Sequence, residues 1–243
     1  MLPRLRGMAS VGLILVGLVL AASVSAQQAG NKAAVDRMHQ HLTTLDTVQY
    51  SVVRGVLDEA KAASQQLTDQ LSMDGLPPDG QKHLSELKAA AIAGTKAATL
   101  EDVGAQAGKM TASCGNCHAA LGKAIKLPEP PKVAGQPSVK TRMREHDHAV
   151  KLLAAGLRGP SEEMWKAGAA SMKNAKLWTM TVKDAELSKQ ISEAETKFRT
   201  FADKAAAATD PGAKAAVYGE ILSTCGHCHS LGGRVFGPGA PQQ

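Results

Sequence analysis

The chain has 243 residues, a formal net charge of +6 and 44% hydrophobic residues, enough apolar material for packed cores but not for a chain that is membrane-embedded throughout. It contains only two Trp, two Tyr and three Phe; with alanine abundant and β-branched clusters scarce, this composition favours helices over strands. The mild basic balance has no basic run interleaved with aromatics and no recognisable nucleic-acid module, so nucleic acid is not an expected partner. It suits encounter with an acidic redox partner or an anionic surface.

Arg4 and Arg6 precede an apolar run from Val11 to Ala22, followed by the small-residue end Ser23-Val24-Ser25-Ala26. Residues 1–26 therefore read as a secretory signal peptide, with export to a bacterial periplasm as the expectation. Loss of this segment lowers the net charge to +4. The run is short for a transmembrane span.

Val35, Met38, Leu42, Leu45, Val48 and Val52 recur at spacings of three and four, the apolar stripe of a first helix. Gly55 interrupts it, and a second helix is predicted from Leu57 to Leu71. Met73 to Asp79, with Gly75, Pro77 and Pro78, reads as a loop before a third helix running through Ala98. Thr99 and Asp102 have the spacing of a capping box that opens a fourth helix.

That helix carries Cys114-Gly115-Asn116-Cys117-His118, and the pattern returns as Cys225-Gly226-His227-Cys228-His229. The two motifs contain all four cysteines. C-x-x-C-H is the attachment signature of haem c: two thiols reach the vinyl groups of one porphyrin, and the adjacent histidine reaches the iron. A thioredoxin-like pair would need a βαβ context, which neither motif has. A zinc ribbon would place its two pairs about 15–20 residues apart. Disulfides within each pair suit an exported chain but leave both histidines unexplained. The expected cofactors are two covalently bound haem c groups, with Cys114, Cys117, Cys225 and Cys228 as attachment sites and His118 and His229 as proximal iron ligands.

Residues 127–137 carry four prolines and a glycine, a stiff connector. It separates two similar plans, 27–126 and 138–243, related by offsets of 105 residues (His41 to His146) and 111 residues (Cys114 to Cys225). In the second plan Ser138 caps the first helix, Gly159-Pro160 ends it and Ser161 caps the next. Lys183 to Ala208 is long enough for a third helix, with Trp178 to Asp184 open between loop and helix. Asp210-Pro211 starts the last. The predicted fold is all-α, two tandem four-helix bundles with a haem motif near the end of each last helix.

In an antiparallel bundle the start of the first helix lies beside the end of the last. Met38 and His41, and their equivalents Met143 and His146, are therefore candidate distal iron ligands. Histidine is preferred, because a His on an apolar face needs a polar partner and Met does not; a shifted alignment offers His148 instead of His146. His83 reads as a surface residue and His227 as solvent-facing.

These features resemble class II c-type cytochromes, the cytochrome c′ type of four-helix bundle, here duplicated in tandem. The resemblance implies a haem in each bundle and a role in electron transfer or small-gas binding. It disfavours a class I cytochrome c, whose distal methionine follows the haem motif: Ser230 to Gln243 contain neither Met nor His. The leading expectation is a periplasmic dihaem electron carrier, not an enzyme, serving periplasmic redox proteins or membrane-bound electron-transfer complexes and needing no small-molecule substrate. The alternatives are a gas-binding or stress-protective cytochrome with an open distal site, and a dihaem peroxidase, for which no acid–base constellation is visible.

Overall fold

The computed structural model describes residues 10–123, 125, 127–135, 138–175 and 183–236, with side chains from residue 32 onward except at 139 and 232–236. Among them are eight helices and no strand: α1 (Ser10–Val53), α2 (Leu57–Gln70), α3 (Pro78–Thr95), α4 (Leu100–Ala120), α5 (Val139–Arg158), α6 (Glu162–Asn174), α7 (Ala185–Ala207) and α8 (Pro211–Phe236). The chain is all-α, as its composition predicts. It divides into two compact units, Met1–Thr43 and Thr44–Gln243, and α1 runs through the division.

Local chemistry sets most of the boundaries. α1 closes in a Schellman motif: Val56 N–H bonds the Ser51 carbonyl and Gly55 N–H the Val52 carbonyl, with Gly55 at φ +77°, where a side chain would be strained. The Thr99 hydroxyl accepts from Asp102 N–H at 3.1 Å while the Asp102 carboxylate accepts from Thr99 N–H at 3.0 Å, a complete capping box for α4. Ser138, Ser161 and Asp184 cap α5, α6 and α7 with side-chain oxygens. Asp210 accepts from Ala213 N–H at 2.9 Å and Pro211 opens α8. Two ends differ from the sequence expectation. α1 reaches back to Ser10, well before Val35, and α3 stops at Thr95, short of Ala98. The ambiguous stretch at Trp178 lies outside the described residues.

Within Thr44–Gln243 the residues before and after the proline-rich segment share one core. Val48, Val52, Val103 and Ala107 pack in the same cluster as Leu153, Trp165, Phe198, Tyr218 and Ile221. A second cluster belongs to the first plan alone and joins Leu45, Leu67, Leu71, Leu84, Leu87 and Met110. Trp165 is fully buried and its indole N–H donates to the Ala205 carbonyl at 2.8 Å.

The shared core is possible because α4 and α8 cross backbone to backbone. A Cβ on Gly104 would lie 2.8 Å from the Gly219 carbonyl oxygen, and one on Gly219 2.6 Å from the Gly104 carbonyl oxygen. A Cβ on Gly108 would collide with the Ala215 carbonyl. The pairings 104 with 219 and 108 with 215 run antiparallel. Only small residues permit so close an approach.

The crossing makes a direct prediction. Gly108→Ala adds helix propensity, about 1 kcal/mol in favour of folding, but drives a methyl into the Ala215 backbone. We expect a net loss of about 1–3 kcal/mol, read as a lowered urea midpoint with unchanged slope.

Candidate functional site

Both C-x-x-C-H motifs lie on helices, Cys114 to His118 in the last two turns of α4 and Cys225 to His229 within α8. Cys and His at positions i, i+3 and i+4 share one helix face, so each motif presents two thiols and an imidazole together. All four thiols are free and partly buried. Cys114 packs on the cluster of Leu45, Leu67, Leu84 and Met110, and Cys225 on the shared core. One thiol of each motif therefore meets apolar packing.

The thiols sit in surroundings hostile to the thiolate. Burial pushes Cys114 up to about 11, partly opposed by the nearby Arg158 guanidinium. Cys225 is pushed up to about 12 by burial, with Cys228 and Asp147 adding to the rise. Burial takes Cys228 to about 11, with Glu195 contributing, and it also raises Cys117. Protonated thiols resist stray oxidation and thiolate metal binding at neutral pH. Among the described residues no group of three or more His, Cys, Asp or Glu side chains is arranged to hold a bare metal ion. Haem asks less of the protein, since the porphyrin supplies four nitrogens and the motif one ligand.

The histidines carry the most specific geometry. His118 Nδ1 lies 3.0 Å from the carbonyl oxygen of Arg158, the last residue of α5. With the proton on Nδ1 the ring donates to that carbonyl and leaves Nε2 as the metal-binding lone pair, the arrangement that fixes tautomer and ring orientation in histidine–metal sites. The backbone of Val53, the last residue of α1, lies within electrostatic reach of the His229 ring and favours its protonated form. Partial desolvation lowers the His229 pKa from the ordinary histidine value although the residue as a whole is exposed, and the neutral ring can ligate.

Between the motifs lies a buried polar hub that sequence reasoning missed. Gln49 Oε1 accepts from Arg158 at 2.7 Å and from the Tyr218 hydroxyl at 3.1 Å, while its amide donates to the Thr111 hydroxyl at 2.7 Å. Arg158 also bonds the Asp46 carboxylate. One glutamine thus joins α1, α4, α5 and α8. Burial raises the Tyr218 hydroxyl pKa, so it remains a donor.

The candidate distal residues differ in environment. In the N-terminal unit His41 is 7% exposed, whereas Met38 is 38% exposed. His146, His148 and Met143 are all half-buried. The His146 ring stacks on Phe198 with centroids 4.6 Å apart, and the buried Nδ1 of His148 meets no hydrogen-bond partner among the described residues. His83 is engaged by Glu86 at 2.9 Å. His227 lines an open cleft of about 490 Å³ among α4, α7 and α8, together with Glu101, Lys197, Lys204, Glu193 and Glu220.

Gln49→Leu tests the hub. It keeps the volume but strands the Tyr218 hydroxyl and one Arg158 bond, so equilibrium unfolding should show a loss of about 1–3 kcal/mol. Adding Tyr218→Phe to the Gln49→Leu variant should recover part of that loss.

Comparison of the chain with family models, with curated proteins and with solved structures finds no match.

Proposed function

We propose that the protein is a dihaem c-type cytochrome that carries electrons, built as two tandem four-helix bundles of the class II type, 27–126 and 138–243, joined by 127–137. The observation that carries this reading is the duplicated C-x-x-C-H on a helix face, with the His118 ring 3.0 Å from the helix-terminal Arg158 carbonyl and the His229 ring within electrostatic reach of the helix-terminal Val53 backbone. The Arg158 bond prepares the second ring nitrogen of His118 for iron. Covalently held haem supplies one-electron chemistry between ferrous and ferric iron. The chain's own residues attach it through four thioethers, orient the proximal imidazoles, exclude water with the leucine-rich and shared cores, and set the local charge.

For the distal positions the reading retains His41 and His146, with Met38, Met143 and His148 as alternatives. Two nitrogen ligands saturate iron and favour outer-sphere electron transfer. A signal peptide over 1–26 would deliver the chain to the periplasm, where periplasmic redox proteins or membrane-bound electron-transfer complexes are the proposed partners. Among the described residues no helix is long and apolar enough to cross a membrane.

Charge distinguishes the halves. Arg158 lies within electrostatic reach of Cys114, ahead of Asp46 in effect, whereas Asp147 and Glu195 act on the second motif. Nearby anions stabilise ferric over ferrous haem. A spectroelectrochemical titration should therefore resolve two one-electron steps, the second-motif haem at the lower potential. Cys225→Ser with Cys228→Ser should remove that step and leave the other, and Asp147→Asn should raise it. A protein with no haem redox step defeats the reading.

Carbon monoxide separates carrier from gas binder. The reduced wild-type first haem should stay low-spin and bind carbon monoxide slowly, and His41→Ala should open it to rapid binding. Rapid binding by the wild-type second haem, judged in the Cys114→Ser, Cys117→Ser background, would assign gas binding to that half.

A further inference from the structure

The helix ends that act on the two motif histidines lie in the opposite halves of the chain. His118 Nδ1 in the first half lies 3.0 Å from the Arg158 carbonyl in the second; the Val53 backbone in the first half acts electrostatically on the ring of His229 in the second. The exchange is reciprocal: the 111-residue offset takes His118 to His229, and the 105-residue offset takes Val53 to Arg158.

Independent backbone packing repeats the pattern. A Cβ on Gly115, inside the first motif, would collide with the Leu157 carbonyl of α5; one on Gly226, inside the second, would collide with the Val52 carbonyl of α1. These contacts correspond under the same two offsets. So do the crossing pairs of α4 and α8, where 104 with 219 becomes 215 with 108. An interface whose contacts map onto themselves is isologous, as in a twofold dimer. Here the two copies are covalently joined.

Val53 and Arg158 each end a helix, where carbonyls lack intrahelical donors and carry the negative end of the helix dipole. The His118 ring satisfies the Arg158 carbonyl, and a carbonyl so placed makes the imidazole a stronger electron donor.

We infer that each half completes the haem site of the other: the Arg158 carbonyl positions His118, and the Val53 carbonyl positions His229. This rests on the haem reading above. The two haems are then not independent beads on a linker. Disturbing the end of α1 alters the second haem, and disturbing the end of α5 alters the first.

Proline makes the disturbance specific, because a residue preceding proline is driven out of the helical region and its carbonyl is re-aimed. Arg54→Pro acts on Val53 and Gly159→Pro on Arg158. Each is placed in the full-length chain in two backgrounds, one lacking the first pair of cysteines and one lacking the second, so that a single haem reports. Arg54→Pro should raise the midpoint potential of the second haem by about a tenfold change in its equilibrium, 59 mV for one electron, and leave the first unmoved; Gly159→Pro should do the converse. A shift confined to the haem of the mutated half, or no shift at either, overturns the inference while leaving the dihaem reading intact. Absence of haem in the unmutated backgrounds defeats the dihaem reading itself. Where a proline variant does not retain haem, Gly55→Ala serves for the first of them, because its added Cβ meets Ser230 and the Gly226 carbonyl on α8. As a readout that needs no variant, the ring N–H proton of the half-buried His118 should exchange slowly with solvent in the wild-type ferrous protein. Fast exchange there contradicts the Arg158 bond.

Discussion

The approach of α4 to α8 through Gly104, Gly108, Ala215 and Gly219 is the constraint on which the rest of the Thr44–Gln243 unit depends. With side chains on the three glycines the two helices could not lie backbone to backbone. Both motif helices take part in this crossing, so it also governs where Cys114 and Cys225 stand. The end of α5 then reaches Gly115 and His118, and the end of α1 reaches Gly226 and His229. Burial of Gln49 among Arg158, Tyr218 and Thr111 follows from the same closeness.

Polar groups enclosed this way are costly unless satisfied. Gln49 meets the requirement by using both ends of its amide; Arg158 serves Gln49 and Asp46 from one guanidinium nitrogen and His118 from its carbonyl, while its buried Nε has no hydrogen-bond partner among the described residues. A single residue thus combines a structural bond, a positive charge near Cys114 and a backbone acceptor for a proposed iron ligand. That combination makes the electrostatics of the two halves unequal although their backbones correspond.

Local grammar was legible in the sequence. The capping box at Thr99 and Asp102, the caps at Ser138 and Ser161, the turn at Gly55 and the proline start at Pro211 each depend on residues a few positions apart, and all occur where spacing places them. The motif thiols and histidines were legible as a set for the same reason. Hidden from the sequence were Arg158, Gln49, Tyr218 and the Val53 carbonyl, since their partners lie in distant helices and any residue supplies a carbonyl. Gly104, Gly108 and Gly219 read as ordinary glycines in alanine-rich helices until their pairing is seen. The length of α1 escaped because the stripe from Val35 to Val52 marks where a helix packs, not where it begins.

The account's central claim is that both motifs hold haem covalently, and intact mass measured under denaturing conditions tests it most directly. The protein purified from a host competent in haem c maturation should exceed its processed polypeptide mass by two haem groups that acid and organic solvent do not extract. A mass equal to the polypeptide alone, with haem absent or freely extracted, would contradict the account at its root.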